Sequence, residues 1–159
     1  MTSILAIDPS TTSMGFAFTY RGFETGLVQA SPKLDRPNRF HIMRRHLEAQ
    51  MADCHPAFVV YYTPFGRGLD ATRCQWGMAA LIEDVAVANM AGVTDVREAT
   101  VRAYFGITPP KGTKDRRKWL KAAALDKASE LCNTEITVDD IADAVLLLKY
   151  TEANMEIKS

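Results

Sequence analysis

The chain has 159 residues, 47% of them hydrophobic, with 19 Lys and Arg against 19 Asp and Glu and therefore no formal net charge. That length suits one domain spanning residues 1–159, with a core large enough to hold without a disulfide or zinc staple. The balance excludes a wholly basic DNA-coating protein and an acidic disordered tail, but a sum says nothing about where the charges sit.

Ser3–Ile7 reads as a short apolar strand buried on both faces and ending on Asp8, and Pro9–Ser13 as a polar turn. Met14–Tyr20 and Phe23–Gln29 read as two further strands joined across Arg21-Gly22, a hairpin signal. Pro32–Asn38 reads as a loop. From Arg39 to Asp53 a helical stripe carries Phe40, Met43, Leu47 and Met51. Ala57–Tyr62, flanked by Pro56 and Pro64, has the composition of a central strand. Phe65–Leu69 is a loop, and Asp70 is the expected N-cap of a long apolar helix through Trp76, Ala80 and Val87. Gly92–Val96 reads as a strand and Ala99–Phe105 as a short helix. Thr108–Thr113 is a breaker, followed by helices over Lys114–Leu131 and Val138–Ala153. A strand meander followed by helix–strand alternation predicts an α/β domain, a mixed five-stranded sheet with helices on both faces.

Cys54, Cys74 and Cys132 form no Cys-x-x-Cys pair and read as reduced structural thiols, as in a cytoplasmic protein. His41, His46 and His55 lack the i, i+4 spacing of a helical zinc site. Neither a basic leader nor an apolar run near the ~20 residues of a membrane helix is present, so the expectation is a cytoplasmic protein with no membrane partner.

Three carboxylates stand out. Asp8 closes a buried strand, where a charge is costly unless paired. Asp140 and Asp143 share one face of the last helix, with Asp139 beside them. Acids in a first turn are also favoured by the helix dipole, which alone explains Asp139; Asp143, inside the apolar run Ile141-Ala142-Asp143-Ala144-Val145, is not explained that way. If Asp8 meets that face, mutual repulsion calls for divalent cations. Hard oxygen ligands suit Mg²⁺ or Mn²⁺, and two ions ~3.5–4 Å apart are the usual arrangement for cutting phosphodiesters.

These residues carry a resemblance. Ile4-Leu5-Ala6-Ile7-Asp8-Pro9-Ser10 with Gly15 resembles the opening of the RuvC family of Holliday-junction resolvases, and Asp140-Ile141-Ala142-Asp143-Ala144-Val145 resembles its closing acidic helix. The phrasing of the middle and C-terminal parts is closest to bacteriophage-type members, which would place the protein in a bacterial host cell. The resemblance implies an RNase H-like fold, a homodimer, and incision of four-way or branched DNA with two Mg²⁺ or Mn²⁺ ions per site held by Asp8, Asp140 and Asp143. One departure is serious. The family places a catalytic Glu at the end of the fourth strand, and in Val59-Val60-Tyr61-Tyr62-Thr63-Pro64-Phe65 that position is Tyr62. A phenol with an unperturbed pKa of ~10 supplies no charge at neutral pH. Three readings follow: a protein that binds junctions without cutting, a tolerated loss with Asp70, Glu83 or Asp139 compensating, or a sporadic or engineered substitution. Cleavage is expected to be weak or absent, and Tyr62→Glu to raise it.

Lys111, Lys114, Arg116, Arg117, Lys118 and Lys121 are opposed only by Asp115. A solvated helix face is the plain reading. Because the run begins in a Pro/Gly loop and precedes the acidic helix, phosphate neutralisation is preferred, and the resemblance agrees. Phe65 matches a family aromatic used at the junction centre, the alternative being a loop Phe folded back on the core; Arg67 and Arg73 flank it and are candidates for phosphate contacts. The Ala-rich helix through Trp76–Val87 is more apolar than one buried face requires, in keeping with the family's dimer contact or with plain core packing. A nucleotide-binding domain of the actin or sugar-kinase type also opens with an Asp at a strand end, but it needs two such domains, which 159 residues do not provide.

Overall fold

Alternation along five strands decides which side of the sheet each residue serves. In a computed structural model, described over residues 2–19 and 22–155, the strands are β1 (Ile4–Asp8), β2 (Ser13–Thr19), β3 (Phe23–Gln29), β4 (Phe58–Tyr62) and β5 (Gly92–Val96). Their order in the sheet is β3-β2-β1-β4-β5. β1, β2 and β3 form an antiparallel meander, and β4 and β5 continue the sheet parallel to β1. Tyr20 and Arg21 of the expected hairpin connection lie outside the described residues; Thr19 pairs with Phe23 across it.

Leu5, Ile7, Val59 and Tyr61 point to one face, where they pack against α1 (Arg36–Cys54) and α2 (Leu69–Ala88). Ile4, Ala6, Val60 and Tyr62 point to the other, covered by α3 (Glu98–Tyr104), α4 (Arg116–Cys132) and α5 (Asp139–Asn154). α5 lies between the sheet and the outer pair α3 and α4, and Ala142, Ala144, Val145, Leu146, Leu147 and Leu148 are all completely buried. A helix apolar on nearly every side is what such a sandwiched position demands. Its buried Thr151 hydroxyl donates to the Leu147 carbonyl at 2.7 Å, so burial leaves that group satisfied.

Capping moves three helix starts away from the sequence expectation. α1 begins at Arg36, inside the segment read as loop, because the Asp35 carboxylate accepts from the Asn38 N–H at 2.9 Å and Pro37 is tolerated in a first turn. α2 begins one residue before Asp70. Gly68, at φ 87°, makes the turn into the helix, and the Asp70 carboxylate instead meets Arg36 of α1 at 3.2 Å. α4 begins at Arg116 because Asp115 is its cap, accepting from the Lys118 N–H at 3.0 Å. Cys54 is buried in the core, its thiol pushed up to about 11 mainly by desolvation, while Cys74 and Cys132 are half-buried. Among the described residues no helix is long and apolar enough to cross a membrane.

Candidate active site

Asp8 stands at the C-terminal end of β1, one step beyond the Ile7–Tyr61 pair that ties β1 to β4. Ile4 and Ala6 share its parity and pack under α5, so its side chain faces α5 as well. α5 can reach this edge because of Gly15, which pairs with Asp8 across β1 and β2. A Cβ at Gly15 would lie 2.0 Å from the Asp140 carbonyl oxygen, so only glycine lets the helix start so close to the strand. Ser13 secures the contact by donating its hydroxyl proton to the Asp140 carboxylate.

The charges gathered here raise the pKa values of Asp8 and Asp143. Asp8 is held well above the ordinary carboxylate range, first by burial and then by Asp143, Asp140, Glu98 and Asp139. Asp143 is pushed up to about 7, mainly by burial and next by Glu98, with Arg102 opposing the shift. Asp139 behaves otherwise: Lys121 of α4 forms a salt bridge with it and lowers its pKa. Asp8, Asp140 and Asp143 thus lie within electrostatic reach of one another. Among the described residues, however, no three His, Cys, Asp or Glu side chains close on a single ion position. The donor set is nonetheless one of hard oxygens, and Asp143 Oδ1 is buried without a hydrogen-bond partner. An orphaned carboxylate oxygen among like charges fits a divalent cation such as Mg²⁺ or Mn²⁺.

Tyr62 ends β4 on the α5 side and is buried. Its hydroxyl donates to the Asp143 backbone carbonyl at 2.9 Å, and burial together with Asp143 and Asp8 keeps the phenol protonated. It brings packing and one hydrogen bond to the site but no anionic ligand. Two of the acids expected to compensate are elsewhere. Asp70 is exposed on α2 beside Arg36, and Glu83 accepts from the Tyr61 hydroxyl at 2.5 Å, on the α2 side of the sheet. Asp139 is near but bound to Lys121.

Sequence reasoning passed over Glu98 and Arg102. Val96 of β5 pairs with Tyr62, and Glu98 follows two residues later as the first residue of α3. Arg102, one turn on, directs Nη2 to the Glu98 carboxylate and lies 3.9 Å from Asp143 Oδ1. No local signal announces them, because their place depends on β5 pairing beside β4 with Val96 opposite Tyr62.

The basic residues lie on exposed surface. Lys111 and Lys114 occupy the loop before α4, and Arg116, Arg117 and Lys118 its first turn. None of these, nor Arg67 or Arg73, is in an ion pair among the described residues. Lys121 is the exception, and its bridge to Asp139 joins this basic stretch to the acidic edge. Phe65 is 76% exposed, which overturns the reading of a ring folded back on the core. Its backbone N–H donates to Gln75 Oε1 at 2.5 Å, fastening the loop to α2.

Two solved structures of RuvC from Thermus thermophilus share this fold. The one in complex with a Holliday junction substrate superposes with a TM-score of 0.74 at 14% identity, covering 98% of both chains. The other gives a TM-score of 0.65 at 12% identity over 92% of this chain and 90% of that one. The likeness establishes the RNase H-like α/β fold, with its five-stranded mixed sheet covered on both faces. No protein-family model matches the sequence, and no curated protein matches it.

Proposed function

We propose that this chain is a structure-selective DNA endonuclease of the RuvC kind, which engages four-way or branched DNA as a homodimer and hydrolyses phosphodiesters with Mg²⁺ or Mn²⁺ held by Asp8, Asp140 and Asp143. The observation that carries the reading is the convergence of those three carboxylates at one sheet edge, with a buried Asp143 oxygen left unbonded, beside a stretch of unpaired basic residues. Cations held there supply a water of lowered pKa and stabilise the leaving oxygen. The protein's own part is to fix the carboxylates: Gly15 brings α5 against β2, Ser13 orients Asp140, and burial confines Asp143. Lys111, Lys114, Arg116, Arg117 and Lys118, with Arg67 and Arg73, neutralise phosphates, and Phe65 is free to stack on bases opened at the junction. Leu69, Trp76, Val87 and Met90 lie exposed on and just after α2 and supply an apolar face for a second copy.

A second reading is favoured by the absence of an anionic ligand at position 62: the chain binds branched DNA, or another partner, without cutting it. A labelled synthetic four-way junction separates the two. Nicking by the native chain in Mg²⁺ or Mn²⁺, lost in Asp8→Asn, supports the nuclease. Binding without nicking supports the second reading, and a chain that neither binds nor nicks branched DNA overturns both.

A further inference from the structure

Strand direction sorts many of the basic side chains to one end of the molecule. β1, β4 and β5 are parallel and finish together, and β3, antiparallel to β2, finishes at that same end. Lys33 to Arg39, leading from β3 into α1, and Arg67 to Arg73, leading from β4 into α2, therefore meet there. The Arg36–Asp70 pair at 3.2 Å joins them. These two segments hold Lys33, Arg36, Arg39, Arg67 and Arg73 against Asp35 and Asp70. Both acids are already engaged, Asp35 as the cap of α1 and Asp70 with Arg36. Lys33, Arg39, Arg67 and Arg73 have no ion-pair partner among the described residues. Arg39 adds a second observation. Its Nε is buried without a hydrogen bond, so its stem is packed into the fold while no carboxylate meets its charge. An arginine held by packing and left without a counter-charge loses little freedom on taking the paired oxygens of a phosphate.

We propose that this α1–α2 corner is a second phosphate-binding surface, on which Lys33, Arg36 and Arg39 act with Arg67 and Arg73 to hold the DNA backbone. The inference rests on the reading of the chain as one that engages branched DNA, and it adds contacts on the other face of the sheet. The basic stretch leading into α4 lies on the α5 side, where Lys121 ties it to Asp139, whereas α1 and α2 cover the opposite face. The acidic edge at the end of β1 thus stands between two basic surfaces. A DNA strand laid across that edge meets positive charge on both sides, which offsets its repulsion from the carboxylates. Phe65, exposed on the loop that also carries Arg67, places a ring for base stacking beside the new surface.

Fluorescence anisotropy of a labelled synthetic four-way junction, titrated in EDTA over a range of NaCl, tests this without reference to cleavage. The native chain is compared with Lys33→Ala/Arg39→Ala and with Lys33→Ala/Arg36→Ala, the second removing only exposed side chains. Lys127→Ala/Lys149→Ala removes the same charge from the far halves of α4 and α5. Each variant is first shown to melt cooperatively. A phosphate contact contributes about 0.9 to the slope of log affinity against log salt, so each corner variant should flatten the slope by about 2. A flattening of at least about 1 in every corner variant that folds, with less than half of that change in the far pair, supports the proposal. A smaller change in a folded corner variant, or half or more of the change in the far pair, overturns it and leaves the nuclease reading standing. If the native chain binds no junction DNA at low salt, both fall.

Discussion

Replacing Asp143 by Asn should make the metal-free protein more stable at alkaline pH. In the unfolded chain this carboxyl titrates near 3.8, and in the fold it is pushed up to about 7. Between those values the folded state holds a proton that the unfolded state has released. Stability therefore falls as pH rises through the window, and the full penalty stands above it. Three units at ~1.4 kcal/mol each amount to roughly 4 kcal/mol. The side chain is 16% exposed, so solvent does little to screen that cost. Asn removes the charge, so native and variant proteins should be close in stability near pH 4 and diverge by roughly 4 kcal/mol near pH 8, or about 8–16 °C in melting temperature for a domain of this size. The opposite pH trend from Asp139, lowered by Lys121, is common to both proteins and cancels in the difference. The assay is thermal and urea unfolding in EDTA across that range, repeated with Mg²⁺ near the alkaline end. There the metal should raise the native protein more than the variant. Parallel profiles for the two proteins, or a native protein that gains on the variant as pH rises, would refute the reasoning.

Gly15→Ala should lower stability by about 1–3 kcal/mol, because the new methyl meets the Asp140 backbone and one of the two must yield; an unchanged urea midpoint would contradict the close approach. Lys111→Ala with Lys114→Ala should flatten the slope of log affinity for junction DNA against log salt by about 2, while leaving the melting temperature alone. An unchanged slope would return those lysines to the status of a solvated surface. Phe65→Ala should cost about 1–3 kcal/mol in binding to a four-way junction and nothing on linear duplex. An equal loss on both DNAs would indicate a general contact rather than a wedge.

Much of this arrangement is legible in the order of residues. The apolar runs Ile4-Leu5-Ala6-Ile7 and Val59-Val60-Tyr61-Tyr62 already mark buried strands that close on Asp8 and Tyr62, and the apolar run around Asp143 puts that acid toward the sheet. Short polar side chains near helix starts were harder to place, because capping competes with pairing. Asp35 and Asp115 are caps, whereas Asp70, which looks like one, bonds to Arg36 of another helix. Glu98 was out of reach for a different reason. Its importance depends on β5 lying beside β4 with Val96 opposite Tyr62, a pairing between segments far apart in the chain that local periodicity does not encode. The exposure of Phe65 likewise depends on where Gln75 anchors the loop backbone, a contact that composition does not announce.

The contact between the β1–β2 turn and the start of α5 also sets a schedule. Ser13 and Asp140, which it joins, are 127 residues apart in the chain. A ribosome adding ~5–20 residues per second takes on the order of 6–25 s to travel from one to the other. Through that interval Asp8 is already made but Asp140 and Asp143 are not, and Ile4, Ala6 and Val60 lack the helix that covers them. The acidic edge therefore comes into being with the completion of the fold rather than during synthesis. A chain released before α5 would carry Asp8 and the basic loop but could not assemble the edge.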